Sequence, residues 1–107
     1  FTQRRVRKIY QAWCRGWLHR FGTIRIPLMP WNRRSDGQPQ PAQTHYHTLK
    51  RVQVPDLLHA GLPDDRLTLL ELMPQSGRWH QLRRHLRHIA HPILGDRRHG
   101  DERYNRW

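Results

Sequence analysis

The chain has 107 residues and a formal charge of +12, from 20 Lys and Arg against 8 Asp and Glu. That length suits one small domain or part of a larger one, and the charge implies a polyanionic partner, nucleic acid before a membrane surface. No apolar run is long enough to span a bilayer, no signal-peptide pattern stands at Phe1, and the single Cys14 excludes an internal disulfide framework and fits a reducing cytoplasm.

In chain order, Val6 to Cys14 is rich in Val, Ile, Tyr and Trp and predicts a strand with both faces partly covered. Gly16 ends it. Thr23 to Ile26 is a short extended piece closed by Pro27 and Pro30. Residues 32–43 form a polar loop with an Asp-Gly step and two prolines. Thr44 to Val54 predicts a strand with Tyr46, Val52 and Val54 on one face and His45, His47 and Leu49 on the other. A single helical turn is expected at Asp56 to Ala60. Arg66 to Met73 is the clearest strand, too apolar for an exposed edge, and Pro74 stops it.

The next stretch, "SGRWHQLRRHLRHIAHPILGD" (Ser76 to Asp96), predicts a helix capped at Ser76 or Gly77 and ended by Pro92. Trp79, Leu82, Leu86 and Ile89 recur at spacings of three and four and make one apolar stripe. At about 100° per residue, His80, Arg83 and Arg87 fall in one sector beside it, and Arg84 and His88 continue toward solvent. Arg83 and Arg87 are like charges four apart, which cost about 0.2–0.5 kcal/mol when nothing offsets them. No acidic residue lies between Glu71 and Asp96 to do so. The helix is therefore arranged to meet anions. A zinc site is the weaker alternative: His85, His88 and His91 are three apart, but no Cys, Asp or Glu joins them on the helix and the arginines repel a cation. After the helix, a short extended piece is followed by a basic tail.

The same stretch resembles the closing motif of the RluA-type pseudouridine synthases, G-R-x-H-Q-[IL]-R-x-H-L-x-x-x-x-H-P-[IL]-x-G-D. Gly77, Arg78, His80, Gln81, Leu82, Arg83, His85, Leu86, His91, Pro92, Ile93, Gly95 and Asp96 all match. "HGDERYNR" (His99 to Arg106), "GQPQPAQTHYHTL" (Gly37 to Leu49) and "RKIYQAWCRGWL" (Arg7 to Leu18) extend the resemblance to tRNA-modifying members of that family. Residues 21–34 match least.

The resemblance implies an α+β fold: the C-terminal part of the pseudouridine synthase catalytic domain, with a mixed or antiparallel sheet and a basic amphipathic helix. It implies isomerisation of uridine to pseudouridine without metal or organic cofactor, on RNA, in particular the T stem of tRNA. The target base is flipped out of its stack, at a cost of a few kcal/mol that backbone contacts offset. By position, Tyr10 in "KIY" corresponds to the tyrosine that packs against the base, and Arg83 to the basic partner of the catalytic aspartate. Arg78, His80, Arg84, Arg87 and His88 are the RNA-binding candidates. Asp96 is expected to hold the turn after "HPILG".

The family's aspartate lies in a His-Arg-Leu-Asp stretch upstream of Lys-x-Tyr. None of the eight acidic residues here has an Arg-Leu-Asp context. With only 36% hydrophobic residues and Phe at position 1, residues 1–107 are expected to be a partial catalytic domain that lacks its nucleophile and is inactive alone. Two alternatives compete: a non-catalytic basic RNA-binding module, and a basic protein of ribosomal type that neutralises phosphates. The ordered "GRWHQLRRH" motif argues against the latter.

Overall fold

The computed structural model describes residues 8–30 and 37–105. The fold is α+β: a four-stranded antiparallel sheet in the order β1-β4-β3-β2, with one two-turn helix packed against it. The strands are β1 (Tyr10–Arg15), β2 (Phe21–Arg25), β3 (Gln43–Gln53) and β4 (Arg66–Pro74). The helices are α1 (Asp56–His59), α2 (Gln81–His88) and α3 (Glu102–Asn105). The apolar run of β4 follows from its place in the middle, paired with β1 on one side and β3 on the other.

β1 starts later than expected and runs to Arg15; Val6 and Arg7 of the expected strand lie outside the described residues. It is an edge strand, so its coverage is one-sided. Ala12 packs against the main core and Cys14 belongs to it, while Gln11 and Trp13 are exposed. Part of its outer edge is closed by the chain after α2: the Arg15 amide donates to Pro92 and the Leu94 amide to Trp13.

The expected alternation along β3 fails at its middle. The pairing with β4 shifts between Thr48 and Lys50, so the side-chain period of two changes phase there. Tyr46 consequently joins the cluster of Cys14, Leu18, Ile24, Leu70, Leu72 and Leu86. Val52 and Val54 pack instead on the second cluster, Leu57, Leu62, Leu67 and Tyr104. Leu86 is fully buried, and Leu82 and Ile89 pack beside it and seat α2 on the first cluster, whereas Trp79 of the expected stripe precedes the helix and stacks on His80 instead.

The C-terminal stretch is not a loose basic tail. The Tyr104 hydroxyl is buried, donates to the Asp64 carbonyl at 2.6 Å and accepts from the Asp64 amide at 2.9 Å. Asn105 accepts from the Gly95 amide and donates to the Asp96 carbonyl. Asp101 holds Arg15 at 2.6 Å and Arg103 at 2.9 Å. Burial pulls the Asp101 carboxyl up, but the hydrogen bond from Arg103 is the larger effect, and with Arg15 it brings the group down to about 2.

Candidate active site

The helix of the motif begins later than its sequence suggests. His80, in the left-handed region at φ 50°, is the residue before α2, and neither Ser76 nor Gly77 caps it. Gln81 is the reason. Its side-chain oxygen accepts from the Ser76 hydroxyl and the Arg78 amide, and its NH2 donates to the Gln43 carbonyl and the Thr44 hydroxyl. Residues 76–80 are thereby folded over the start of the helix rather than wound into it. A buried amide is tolerable because each of its polar atoms has a partner.

His85 is buried for a similar reason. Its Nε2–H faces the Ile26 carbonyl at 2.8 Å, an acceptor only, so Nδ1 accepts from the Thr44 hydroxyl at 2.8 Å. Burial holds this imidazole below its ordinary range and keeps it neutral. Both ring nitrogens are thus occupied. Among the described residues no group of three or more His, Cys, Asp or Glu is placed to hold a metal ion.

Arg83 projects from α2 to Asp96. Nε donates to Oδ2 at 2.9 Å and Nη2 to Oδ1 at 2.8 Å, a two-point fork. The amides of Arg98 and His99 donate to the same Oδ1, so Asp96 also holds the turn. Burial raises the Asp96 carboxyl, but the Arg83 bond and the two amides outweigh it and bring it to about 2. On its other side Arg83 Nη1 lies 3.1 Å from His80 Nε2, and His80 Nδ1 lies 3.1 Å from His99 Nε2. Trp79 stacks on His80, with ring centroids 3.9 Å apart and planes at 19°.

Tyr10 reaches this neighbourhood from β1. It pairs with Leu72 across the sheet, so both side chains emerge on the same face. The two line one pocket of about 500 Å3 together with Lys8, Arg78, His80 and Arg83. Tyr10 is half exposed there. A cleft of similar size lies elsewhere, lined by Trp17, Arg25, Arg51 and His91; there Arg51 donates to the Leu18 carbonyl, His91 bonds the Arg15 carbonyl and Arg25 is held by the Gln43 side chain. Convergent polar groups favour the Tyr10–Arg83 pocket.

The other candidates divide. Arg78 lines the pocket and donates to the Pro41 carbonyl. Arg87 and His88 stand exposed on the outer face of α2. Arg84 does not continue that face. Its two amino groups donate to the carbonyls of Trp79 and Met29, and its guanidinium lies 5.6 Å from the Trp79 ring centre. The position of Arg84 on the helix points outward, but its long side chain bends back to the half-buried Trp79 carbonyl and the exposed Met29 carbonyl. Gln81 and Asp96 belong to the site and were outside the expected set; the signal for both was their fixed place in the motif.

A sequence model described as RNA pseudouridylate synthase matches residues 1–88. The chain belongs to that family. It is 43% identical to tRNA pseudouridine synthase C of Salmonella typhimurium over a 113-residue alignment covering 99% of this chain and 43% of that protein. Identity to the proteins of the same name from Yersinia pestis and Vibrio cholerae is 41% and 35%. The chain thus spans less than half the length of these pseudouridine synthase relatives. Among solved structures, human RNA pseudouridylate synthase domain containing 1 superposes with a TM-score of 0.69 at 27% identity, covering 89% of this chain and 41% of that one. The family match includes Tyr10 and Arg83, the two residues the pocket brings together, and ends at His88, before the Asp96 that holds Arg83.

Proposed function

We propose that this chain carries the tyrosine and arginine side of an RNA pseudouridine synthase site acting on tRNA, with the T stem as target. The observation that carries the reading is the convergence of Tyr10 and Arg83, far apart in sequence, on one pocket. In the reaction the C1′–N1 bond of uridine breaks, the base turns, a C1′–C5 bond forms, C5 loses its proton and N1 gains one. No atom is added, so the protein's task is to receive, hold and reprotonate the base. Tyr10 offers a ring to pack against it and a phenol within reach of a transferred proton.

Arg83 is gripped by Asp96 and His80 through three of its N–H groups. The remaining donors can take a second carboxylate, and an arginine beside an aspartate favours its ionised, nucleophilic form. That aspartate comes from sequence outside these 107 residues. Arg78, Arg87 and His88 supply contacts to the RNA backbone, which offset the cost of flipping the base.

Tritium release from tRNA labelled at uridine C5 tests this in the full-length protein. Arg83→Ala abolishes release while tRNA affinity stays within a few fold, and Tyr10→Phe slows release far more than it weakens binding. Residues 1–107 alone release no tritium. Equal losses of binding and rate in Arg83→Ala would make Arg83 a phosphate contact. The second reading, a non-catalytic RNA-binding module, is favoured by one observation: no acidic residue here has the Arg-Leu-Asp context. A full-length protein that binds tRNA and releases nothing would establish it.

A further inference from the structure

We propose that His80 is a positioning residue for Arg83, acting as a neutral hydrogen-bond acceptor backed by His99, rather than a contact to RNA. The inference rests on the catalytic reading of Arg83. It follows from the donor and acceptor rules of the groups in contact. A guanidinium has only donors. At 3.1 Å from Arg83 Nη1, the His80 Nε2 must therefore present a lone pair. A neutral imidazole with a bare Nε2 carries its proton on Nδ1, and that Nδ1 lies 3.1 Å from His99 Nε2. His80 thus donates to His99, whose Nε2 must also be bare.

The direction of the whole chain is fixed: Arg83 to His80 to His99. Either ring acquiring a second proton breaks it. Protonation of His80 turns its acceptor into a donor that faces a cation.

The surroundings hold the rings in that state and in that place. Trp79 stacks on His80 and meets His99 edge-on. The left-handed backbone at His80 sets the ring over Trp79; histidine is one of the few non-glycine residues enriched in that region. From α2, Arg83 and Arg84 face His80; from the turn after Pro92, Arg98, Asp96 and His99 do. Lys8, Tyr10 and Arg78 share its pocket. Only Asp96 among these favours a charged His80, and Asp96 is already spent on Arg83. Burial first, then Arg83 and Arg98, hold His80 below the ordinary histidine range. Burial does the same for His99. Arg83 is consequently clamped from both sides, by the Asp96 fork and by the His80 lone pair. An arginine held by Asp96 alone can still swing about that fork, and misplacing a catalytic group by about 1 Å can cost roughly 100-fold.

The test uses the full-length protein. Imidazole nitrogen shifts at pH 7, which need no turnover, should show His80 protonated at Nδ1 and bare at Nε2. A proton on Nε2 overturns the proposal. With tRNA as substrate, His80→Phe keeps a ring over Trp79 but has no acceptor, and kcat should fall roughly 10- to 100-fold on the neutral plateau, the gap closing down the acidic limb, with tRNA affinity within about 3-fold. His80→Gln keeps an acceptor that does not titrate. It should recover most of that loss and abolish the acidic limb of the wild-type kcat profile, which lies below the ordinary histidine pKa of about 6.5. An unchanged kcat in His80→Phe with weakened tRNA binding also overturns it. A wild-type protein that shows the expected nitrogen shifts but makes no pseudouridine would overturn the catalytic reading, leaving the histidine geometry itself intact.

Discussion

Asp96→Asn is the perturbation whose size the structure defines best. The carboxyl side chain is 4% exposed and its partner Arg83 37% exposed. The environment takes Asp96 from 3.8 to about 2. At about 1.4 kcal/mol per unit, that amounts to about 2 kcal/mol of stability at neutral pH. A carboxylate with a lowered pKa contributes this above its ordinary value and loses it as pH falls toward the lowered one. The contribution should be complete at pH 7, roughly half gone at pH 3 and nearly absent at pH 2. Asparagine keeps the shape and one acceptor oxygen but not the charge. Because Arg83 can rehydrate, the loss should stay near 2 kcal/mol and below the 3–5 kcal/mol of a fully buried broken pair. Urea unfolding followed by tryptophan fluorescence should show the midpoint lowered by roughly 1 M at pH 7. The gap between wild type and variant should close as the series is carried to pH 2. Asp101, also at about 2, titrates in both proteins and cancels in the difference. A gap that stays constant from pH 7 to pH 2.5, or one below about 0.5 kcal/mol at pH 7, would show that the fork adds nothing beyond a surface ion pair.

Arg87→Ala should weaken tRNA binding and reduce the slope of log affinity against log salt by about one contact's worth, whereas Arg84→Ala should leave the slope alone and lower stability by freeing the Met29 and Trp79 carbonyls; filter binding across a salt series separates them. Cys14 is fully buried, and burial pushes its thiol up to about 12. It should stay unlabelled by a disulfide reagent at pH 8 until denaturant is added, and prompt labelling of native protein would contradict its place in the core. At Gly100 a Cβ would run into the Asp96 carbonyl and approach that of Ile93 to 2.9 Å. Gly100→Ala should therefore cost about 1–3 kcal/mol by thermal melting, as overpacking does, and should slow catalysis further by displacing His99.

What was legible in the sequence is what repeats locally. The apolar run of residues 66–73 and the three-and-four spacing of Leu82, Leu86 and Ile89 each dictate one element, and both are present. The family resemblance singled out Tyr10 and Arg83, which line one pocket. What was hidden depends on long-range partners. The phase change in β3 is invisible because Thr48, Leu49 and Lys50 alternate normally in sequence; only pairing with β4 shows the extra residue. No local pattern marks Gln81 and His85 as interior; they are buried because β3 and the residue after β2 offer them carbonyls and a hydroxyl. Tyr104 sits in a stretch whose composition reads as solvated, and it is held in by Leu57, Leu62 and Leu67 around its ring and the Asp64 backbone at its hydroxyl.

The charge of α2 shows where local reasoning goes astray and how the structure mends it. With no acid between Glu71 and Asp96, the sequence leaves four cationic or titratable side chains from Arg83 to Arg87 without a local counter-charge. The fold supplies partners instead. Arg83 meets an internal anion thirteen residues on, Arg84 meets carbonyls, and His85 is kept neutral between Thr44 and Ile26. Arg87 also donates, at 3.3 Å, to the Gly100 carbonyl, but it and His88 after it stay on the exposed face. The like-charge penalty between Arg83 and Arg87, about 0.2–0.5 kcal/mol uncompensated, is thus offset within the fold by Asp96 rather than by RNA. The arginines on adjacent turns of one helix therefore meet different surroundings. The inner arginine is fixed by its own protein before any substrate arrives, which suits orienting a reacting group. The outer one keeps its charge toward solvent, where it can exchange counterions for phosphates.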